Sequence, residues 1–372
     1  MAKYRIAWLP GDGVGVEVMN ATRLVLDKLA IPAEYIHGDI GWECWRHGGN
    51  AFPQATIDLI KSTDCALFGA ITSKPKEEAE KELDPQLKGK GLSYFSPIVG
   101  MRQMFDLYVN MRPCKAYPSN PLNYKENIDI VVFRENTEGL YSGVEFFPFG
   151  GEVRKAIEAG HPKMKPFKDI APDKIAVSLR IITEKGASRI IRAAFEFARK
   201  NHRKAVCVVE KPNVIRETSG LFVREGRKIA AEYPEIKLQE ANIDAMCMWL
   251  LKNPFDYDVI VTSNLFGDIL SDLVAQMVGG LGFASAGNIG ANCAVFEPTH
   301  GSAPKYAGQD KVNPIACILA AGMMLDWLGE KDKALAIDAA VAKVIREGKV
   351  RTYDMGGTAK LSEMAAAIAA KL

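Results

Sequence analysis

A chain of 372 residues, 48% of them hydrophobic, can bury a large core and more than one domain. A net charge of +2 offers no strong basic field, which argues against nucleic acid or an anionic membrane as a partner. No apolar run is long enough to span a bilayer, the residues before Trp8 are too few and too polar for a signal peptide, and seven cysteines without a CxxC pair read as reduced thiols of a cytoplasmic protein rather than a zinc site.

In chain order, YRIAWLPGDGVG reads as a short strand and a glycine-rich turn, and EVMNATRLVLDKL as a helix. Gly11, Gly13 and Gly15 do not make GxGxxG, so the turn reads as one that needs unusual backbone angles rather than a dinucleotide cradle. AEYIHGDI is strand-like, PQATIDLIKST helical and DCALFGAI a buried strand, an alternation that predicts an α/β fold. The charged stretch from Lys74 to Gly91 predicts a surface loop or short helix. SPIVGMRQMFDLYVNMRPCKAY and IDIVVFRENTEGLYSG then carry Arg102, Arg112, Arg134 and Tyr141. Any one of these arginines suits a structural ion pair; three at the ends of apolar runs point to a polycarboxylate or phosphate ligand.

Residues 145–183 read as an irregular excursion that includes the apolar run KIAVSLRII. The helix ASRIIRAAFEFARK follows, then the buried strand KAVCVVEKPN with Lys211 and Asn213 at its end. SGLFVREGRKIAAEY is helical, and ANIDAMCMWLLKN places Asp244 ahead of an apolar helical stripe. DVIVTSN reads as a strand that turns through Gly267 into a helix. Asp268 and Asp272 share one face of that helix, four residues apart. Either a cation sits between them or they are solvated acids suited to the positive end of a helix, and the stretch alone leaves both open. AQMVGGLGFASAGNIG reads as a close-packed or hinge-like segment. AVFEPTHGSAPKYAGQDKVNP reads as a restricted loop with many donors, leading into a helix over residues 315–328, and so as a nucleotide-phosphate site. Helices ALAIDAAVAKVIREG and SEMAAAIAAKL close the chain.

Taken together, GDGVG, MRQMFDLYVNMRP, FRENTEGLYSG, NLFGDILSD and THGSAPKYAGQDKVNP resemble the β-decarboxylating dehydrogenases, in order from Pro10 to about Asp354. That family includes isocitrate, isopropylmalate, homoisocitrate and tartrate dehydrogenases. The resemblance implies a fold of two α/β domains unlike the GxGxxG one. Residues 1–107 and 279–372 would form the large domain. Residues 108–278 would form a smaller dimerisation domain, with an arm over about 141–183. It also implies a homodimer with shared active sites. Arg102, Arg112 and Arg134 would hold the malate part of the substrate. Asp244, Asp268 and Asp272 would bind Mg²⁺ or Mn²⁺, one of them from the partner. Tyr141 and Lys211 would form the acid–base pair, with Lys211 reaching across the interface, and Asn213 would position substrate and nicotinamide. His300, Gly301, Ser302, Ala303, Lys305, Tyr306, Asn313 and Asp354 would hold the adenosine half of the cofactor, and Thr72 is a further candidate on the nicotinamide side.

The chemistry implied is hydride loss from C2 of a 2-hydroxy acid, followed by loss of CO₂ from C3. Ser96 stands where isocitrate-type members carry a serine, whereas Ile98 and Val99 are as apolar as the isopropylmalate pattern. A buried hydroxyl at Ser96 has no partner on an isopropyl group, which favours isocitrate over isopropylmalate or homoisocitrate. Lys305, Tyr306 and Tyr353 match the pattern for NADP, where a cation meets the 2′-phosphate, with NAD as the alternative. Two arginines common in NADP-specific members are replaced by Gly357 and Asn253. A non-catalytic regulatory subunit is the competing class. The presence of Tyr141, Lys211 and all three aspartates argues against it.

Overall fold

Apolar runs bounded by turns become strands, and the amphipathic runs between them become covering helices. The computed structural model describes residues 2–372. In the first part of the chain, β1 (Tyr4–Gly11), α1 (Val14–Lys28), β2 (Ala33–His37), α3 (Gln54–Lys61) and β3 (Cys65–Ala70) form as expected, and α2 (Trp42–Gly48) is an additional short helix between β2 and α3. α4 (Lys76–Lys81) is a short helix in the charged excursion, and α5 (Pro97–Met104) precedes β4 (Val109–Lys115) and β5 (Asp129–Glu135). The irregular excursion holds β6 (Glu145–Phe146), α6 (Gly151–Gly160) and β7 (Val177–Ser178), the two strands pairing as a separate antiparallel ribbon. Only those two residues of KIAVSLRII join a strand.

Beyond it come α7 (Glu184–Lys200), β8 (Ala205–Glu210), α8 (Thr218–Ala230), β9 (Lys237–Asn242), α9 (Ile243–Lys252), β10 (Val259–Thr262) and α10 (Asn264–Met277). The chain ends with β11 (Ser285–Ile289), β12 (Ala294–Pro298), α11 (Ile315–Trp327), α12 (Lys331–Glu347) and α13 (Leu361–Ala369). Three strands depart from the sequence expectation. β9 is a polar edge strand, β11 is built of small residues, and β12 opens the segment read as a loop. The polar make-up of β9 and the small residues of β11 give a weak strand signal, and the apolar run of β12 is only three residues long, Ala294 to Phe296, before the polar loop begins.

All but the ribbon strands form one ten-stranded sheet, ordered β2-β1-β3-β12-β11-β4-β5-β10-β8-β9. The outer blocks, β2-β1-β3-β12 and β5-β10-β8-β9, are parallel. β11 and β4 bridge them through antiparallel pairs. Both faces are covered, as a parallel sheet requires. α1, α11, α12 and α13 pack on the first block, with α3 and α5 on its other face. α7 and α8 cover one face of the second block, and α9 and α10 the other. All seven cysteines are free, and among the described residues no helix is long and apolar enough to cross a membrane.

Candidate active site

Strand register places the site. Directly paired residues point to the same face, and that face repeats every second residue. Asn110 pairs with both Arg134 and Asn288, and Asn288 pairs with Val295. Asn110, Arg112, Arg134, Asn288 and Glu297 therefore share one face across β5, β4, β11 and β12. All five are buried. α5 supplies Arg102 to the same face. Its Nε donates to Asn288 Oδ1 (3.0 Å) and its Nη2 to Glu297 Oε1 (3.0 Å). Asn288 Oδ1 also accepts from Asn110 (2.8 Å) and Asn136 (3.0 Å), while the buried Asn136 Oδ1 has no partner of its own.

α10 packs over this face. It begins at Asn264, so Gly267 lies inside the helix and not in a turn before it, which corrects the sequence expectation. The glycine is there for approach: a Cβ at 267 would stand 2.6 Å from Arg134 Cγ. That closeness lets the first turns of the helix meet the arginine. Arg134 Nε and Nη2 both donate to Asn264 Oδ1 (3.0 and 2.8 Å), and Nη1 pairs with Asp268. Arg112 donates to Ser271 Oγ (2.7 Å) and Asp272 Oδ1 (3.0 Å), with Asp268 3.6 Å away. The Tyr141 hydroxyl donates to Asp268 Oδ2 (2.7 Å), and the Arg134 guanidinium lies over the Tyr141 ring at 5.2 Å.

Each arginine thus has a carboxylate partner, as a structural ion pair would, yet all three also line one cavity of about 370 Å³. Ser96, Ile98, Val99, Tyr141 and Asp268 share that wall. Burial and the charges of Arg102 and Arg112 pull Arg134 below its ordinary value. Three cations this close favour an anion in the space between them. Burial pushes the Asp268 carboxyl up, but Arg134, the Tyr141 hydroxyl and Arg112 outweigh it and hold Asp268 below the usual range. Burial raises Asp272 despite Arg112. Burial and the bond to Asp268 raise Tyr141, which therefore keeps its proton and is a donor.

A second cavity of about 590 Å³ meets the first at His300 and Gly301. Ala303, Tyr306, Asn313, Tyr353 and Asp354 line it, facing the backbone of Gly279 to Gly282. Buried His300 Nε2 and Thr299 Oγ1 have no partner, and both residues border the first cavity. Ser302 and Thr72 stand behind the walls, hydroxyl to hydroxyl at 2.6 Å. Asp12 Oδ2 accepts from Thr72 N (2.9 Å) and Trp42 N (2.7 Å). The glycine turn after β1 needs its unusual angles: Gly13 has φ +55°, and a Cβ there would meet Ser302 O at 2.3 Å. Lys305 is exposed, its ammonium 5.3 Å from the Tyr306 ring.

Lys211, Asn213 and Asp244 line neither cavity. Lys211 Nζ pairs with Asp244 Oδ1 at 2.5 Å, and Asn213 is exposed beyond β8. Among the described residues no cluster of three His, Cys, Asp or Glu side chains could hold a metal. One chain therefore brings together Asp268 and Asp272, hard oxygen donors of the kind Mg²⁺ and Mn²⁺ take, but not Asp244. Sequence reasoning also missed Asn288, Glu297, Asn110 and Asn264. Their signal was present as single polar residues inside short apolar strands or, for Asn264, at the helix start.

A family model described as isocitrate/isopropylmalate dehydrogenase matches residues 5–368. The chain belongs to the isocitrate/isopropylmalate dehydrogenase family. It is accordingly an NAD(P)-dependent β-decarboxylating dehydrogenase in type, with the α/β fold of that family. Protein DlpA of Legionella pneumophila is 42% identical over 98% of this chain, which spans 58% of that protein's length. A 3-isopropylmalate dehydrogenase of Archaeoglobus fulgidus is 41% identical, over 99% of each chain. The crystal structure of an isocitrate dehydrogenase from Methylococcus capsulatus superposes with a TM-score of 0.85 at 36% identity, covering 99% of each chain. Relatives of this family thus carry more than one substrate name.

Proposed function

We propose that this dehydrogenase converts isocitrate to 2-oxoglutarate with NADP, as a homodimer whose sites are shared. The observation that carries the reading is the single cavity in which Ser96, Arg102, Arg112, Arg134, Tyr141 and Asp268 meet. The three arginines suit the malate part that all the candidate substrates share, so the third substituent separates them. Ser96 offers a hydroxyl to the third carboxylate. Ile98 and Val99 on the same wall favour isopropylmalate as the second reading, with homoisocitrate between the two.

In this reaction the arginines neutralise the carboxylates and hold the C2–C3 bond in a reacting geometry. Lys211 of the partner subunit takes the proton of the C2 hydroxyl, and Asn213 orients substrate and nicotinamide beside it. Tyr141 delivers its proton to C3 after CO₂ leaves, a role suited to a phenol held in the protonated form. A divalent cation held by Asp268, Asp272 and Asp244 of the partner subunit would polarise the C2 oxygen, and NADP would accept the hydride. Asp268 and Asp272, carboxylates 3.6 and 3.0 Å from Arg112, are hard oxygen donors of the kind such a cation takes, which supports this reading.

Exposed apolar side chains support the dimer: Val214, Met248, Phe255 and Ile269 are each more than half exposed. The proposed domains are residues 1–107 with 279–372, and 108–278 with an arm over about 141–183. The apolar clusters support this division in the main, with Tyr117 crossing to the first block's cluster and Ala284 to the second's.

A panel of isocitrate, homoisocitrate and isopropylmalate, each with NAD and NADP, tests the assignment. Isocitrate with NADP should give the highest kcat/KM; a higher value for isopropylmalate would replace the reading with the second one. Chelation should abolish turnover, and added Mn²⁺ should restore it.

A further inference from the structure

We propose that Lys311 is a second cation for the 2′-phosphate of the cofactor and sets nucleotide preference together with Lys305. This rests on the NADP reading above and adds a residue to it.

The observation is an aromatic shelf with two ammonium groups. Tyr306 and Tyr353 lie on the wall of the larger cavity with ring centroids 5.7 Å apart. Lys311 Nζ is 5.2 Å from the Tyr306 centroid and 5.1 Å from that of Tyr353. Lys305 approaches the Tyr306 ring at 5.3 Å. Two flexible, strongly hydrated cations are thus held at the edge of one cavity.

No carboxylate among the described residues pairs with either lysine, because the neighbouring acids are committed elsewhere. Asp310 accepts from Ser362 N and Oγ. Glu17 accepts from the backbone N–H groups of Gly308 and Asp310. Asp354 accepts from Thr352 and Asn313. Two unpaired cations beside an aromatic surface suit a dianion joined to a planar or sugar group. A phosphomonoester carries about −1.5 to −2 charges near neutral pH and three acceptor oxygens, so one lysine leaves much of that charge uncompensated.

The fold also explains why a lysine at 311 takes this part. A side chain at 357 is closed off, since a Cβ there would stand 2.1 Å from Arg351 O. A cation cannot come from that position without moving the backbone, so it comes from the segment before Val312 instead. Both lysines are exposed, and substitution at 311 removes no buried contact.

The test is calorimetric binding of adenosine 2′,5′-bisphosphate and adenosine 5′-monophosphate to the intact protein. The parent should prefer the bisphosphate. Lys311→Met, which keeps an apolar contact with the rings, should lower that preference about tenfold, the loss expected for one charged hydrogen-bonding partner, with monophosphate affinity and thermal midpoint unchanged. Lys311→Arg should keep most of the preference. If the parent prefers the bisphosphate and Lys311→Met retains that preference in full, Lys311 only stacks on the tyrosines and the proposal is wrong, while the NADP reading stands. If the parent shows no preference, both fall.

Discussion

Tyr141 and Asp268 show how one contact sets two roles. The phenol donates to a carboxylate that the arginines keep ionised, so the proton stays on the tyrosine oxygen. Tyr141→Phe removes that proton and little else, because the ring keeps its place beneath Arg134. Turnover should fall by about 10²- to 10⁴-fold, the usual contribution of a positioned acid. Substrate binding, measured by equilibrium titration, should stay close to that of the parent. Unchanged turnover would remove Tyr141 from the acid role. Glu297 is buried against Arg102, and Glu297→Ala would leave that guanidinium unpaired beside Arg112 and Arg134. Loss of one partner of a buried pair costs about 3–5 kcal/mol, readable as a lower denaturation midpoint.

At the scale of elements, α10 decides the shape of the site. Its buried side includes Asn264, Gly267, Leu270, Ser271 and Val274, a helical stripe that is polar at its start and apolar towards its end. The polar start faces Arg134 and Arg112, and the apolar end joins the cluster beneath β5, β8 and β10. Gly267→Ala should improve helix propensity by about 1 kcal/mol, yet its methyl would collide with the Arg134 side chain. Overpacking of that kind costs about 1–3 kcal/mol. The expected outcome is a protein no more stable than the parent, with a raised KM for its hydroxy acid as Arg134 is displaced. A more stable variant with unaltered KM would show that the helix has room to shift.

The whole molecule carries the question of where Lys211 and Asp244 work. In one chain they pair with each other, away from the cavity that holds Tyr141. If the sites are shared, Tyr141→Phe and Lys211→Ala are defects in different halves of each site. Mixing the two inactive variants through unfolding and reassembly should then regenerate about a quarter of the parental sites, since half the dimers are mixed and each mixed dimer has one intact site. If both residues serve the same site from one chain, no mixed dimer has an intact site and activity stays absent. Ile269→Arg, on the exposed side of α10, should yield monomers by sedimentation and abolish turnover with them.

By itself, the sequence determined the α/β alternation, the family through five ordered motifs, and the cluster of arginines whose burial calls for an anion. These are local or additive properties: periodicity, turn chemistry and residue type survive without knowledge of neighbours. Tertiary structure alone decided that β11 and β12 join the sheet, and that Asn110, Asn288 and Glu297 share the face of Arg112 and Arg134. Those facts depend on the strand register that ties β4 to β11 and β3 to β12, segments more than a hundred residues apart. No window along the chain contains that information, because the pairing that orients each side chain is made by backbone hydrogen bonds to a distant strand.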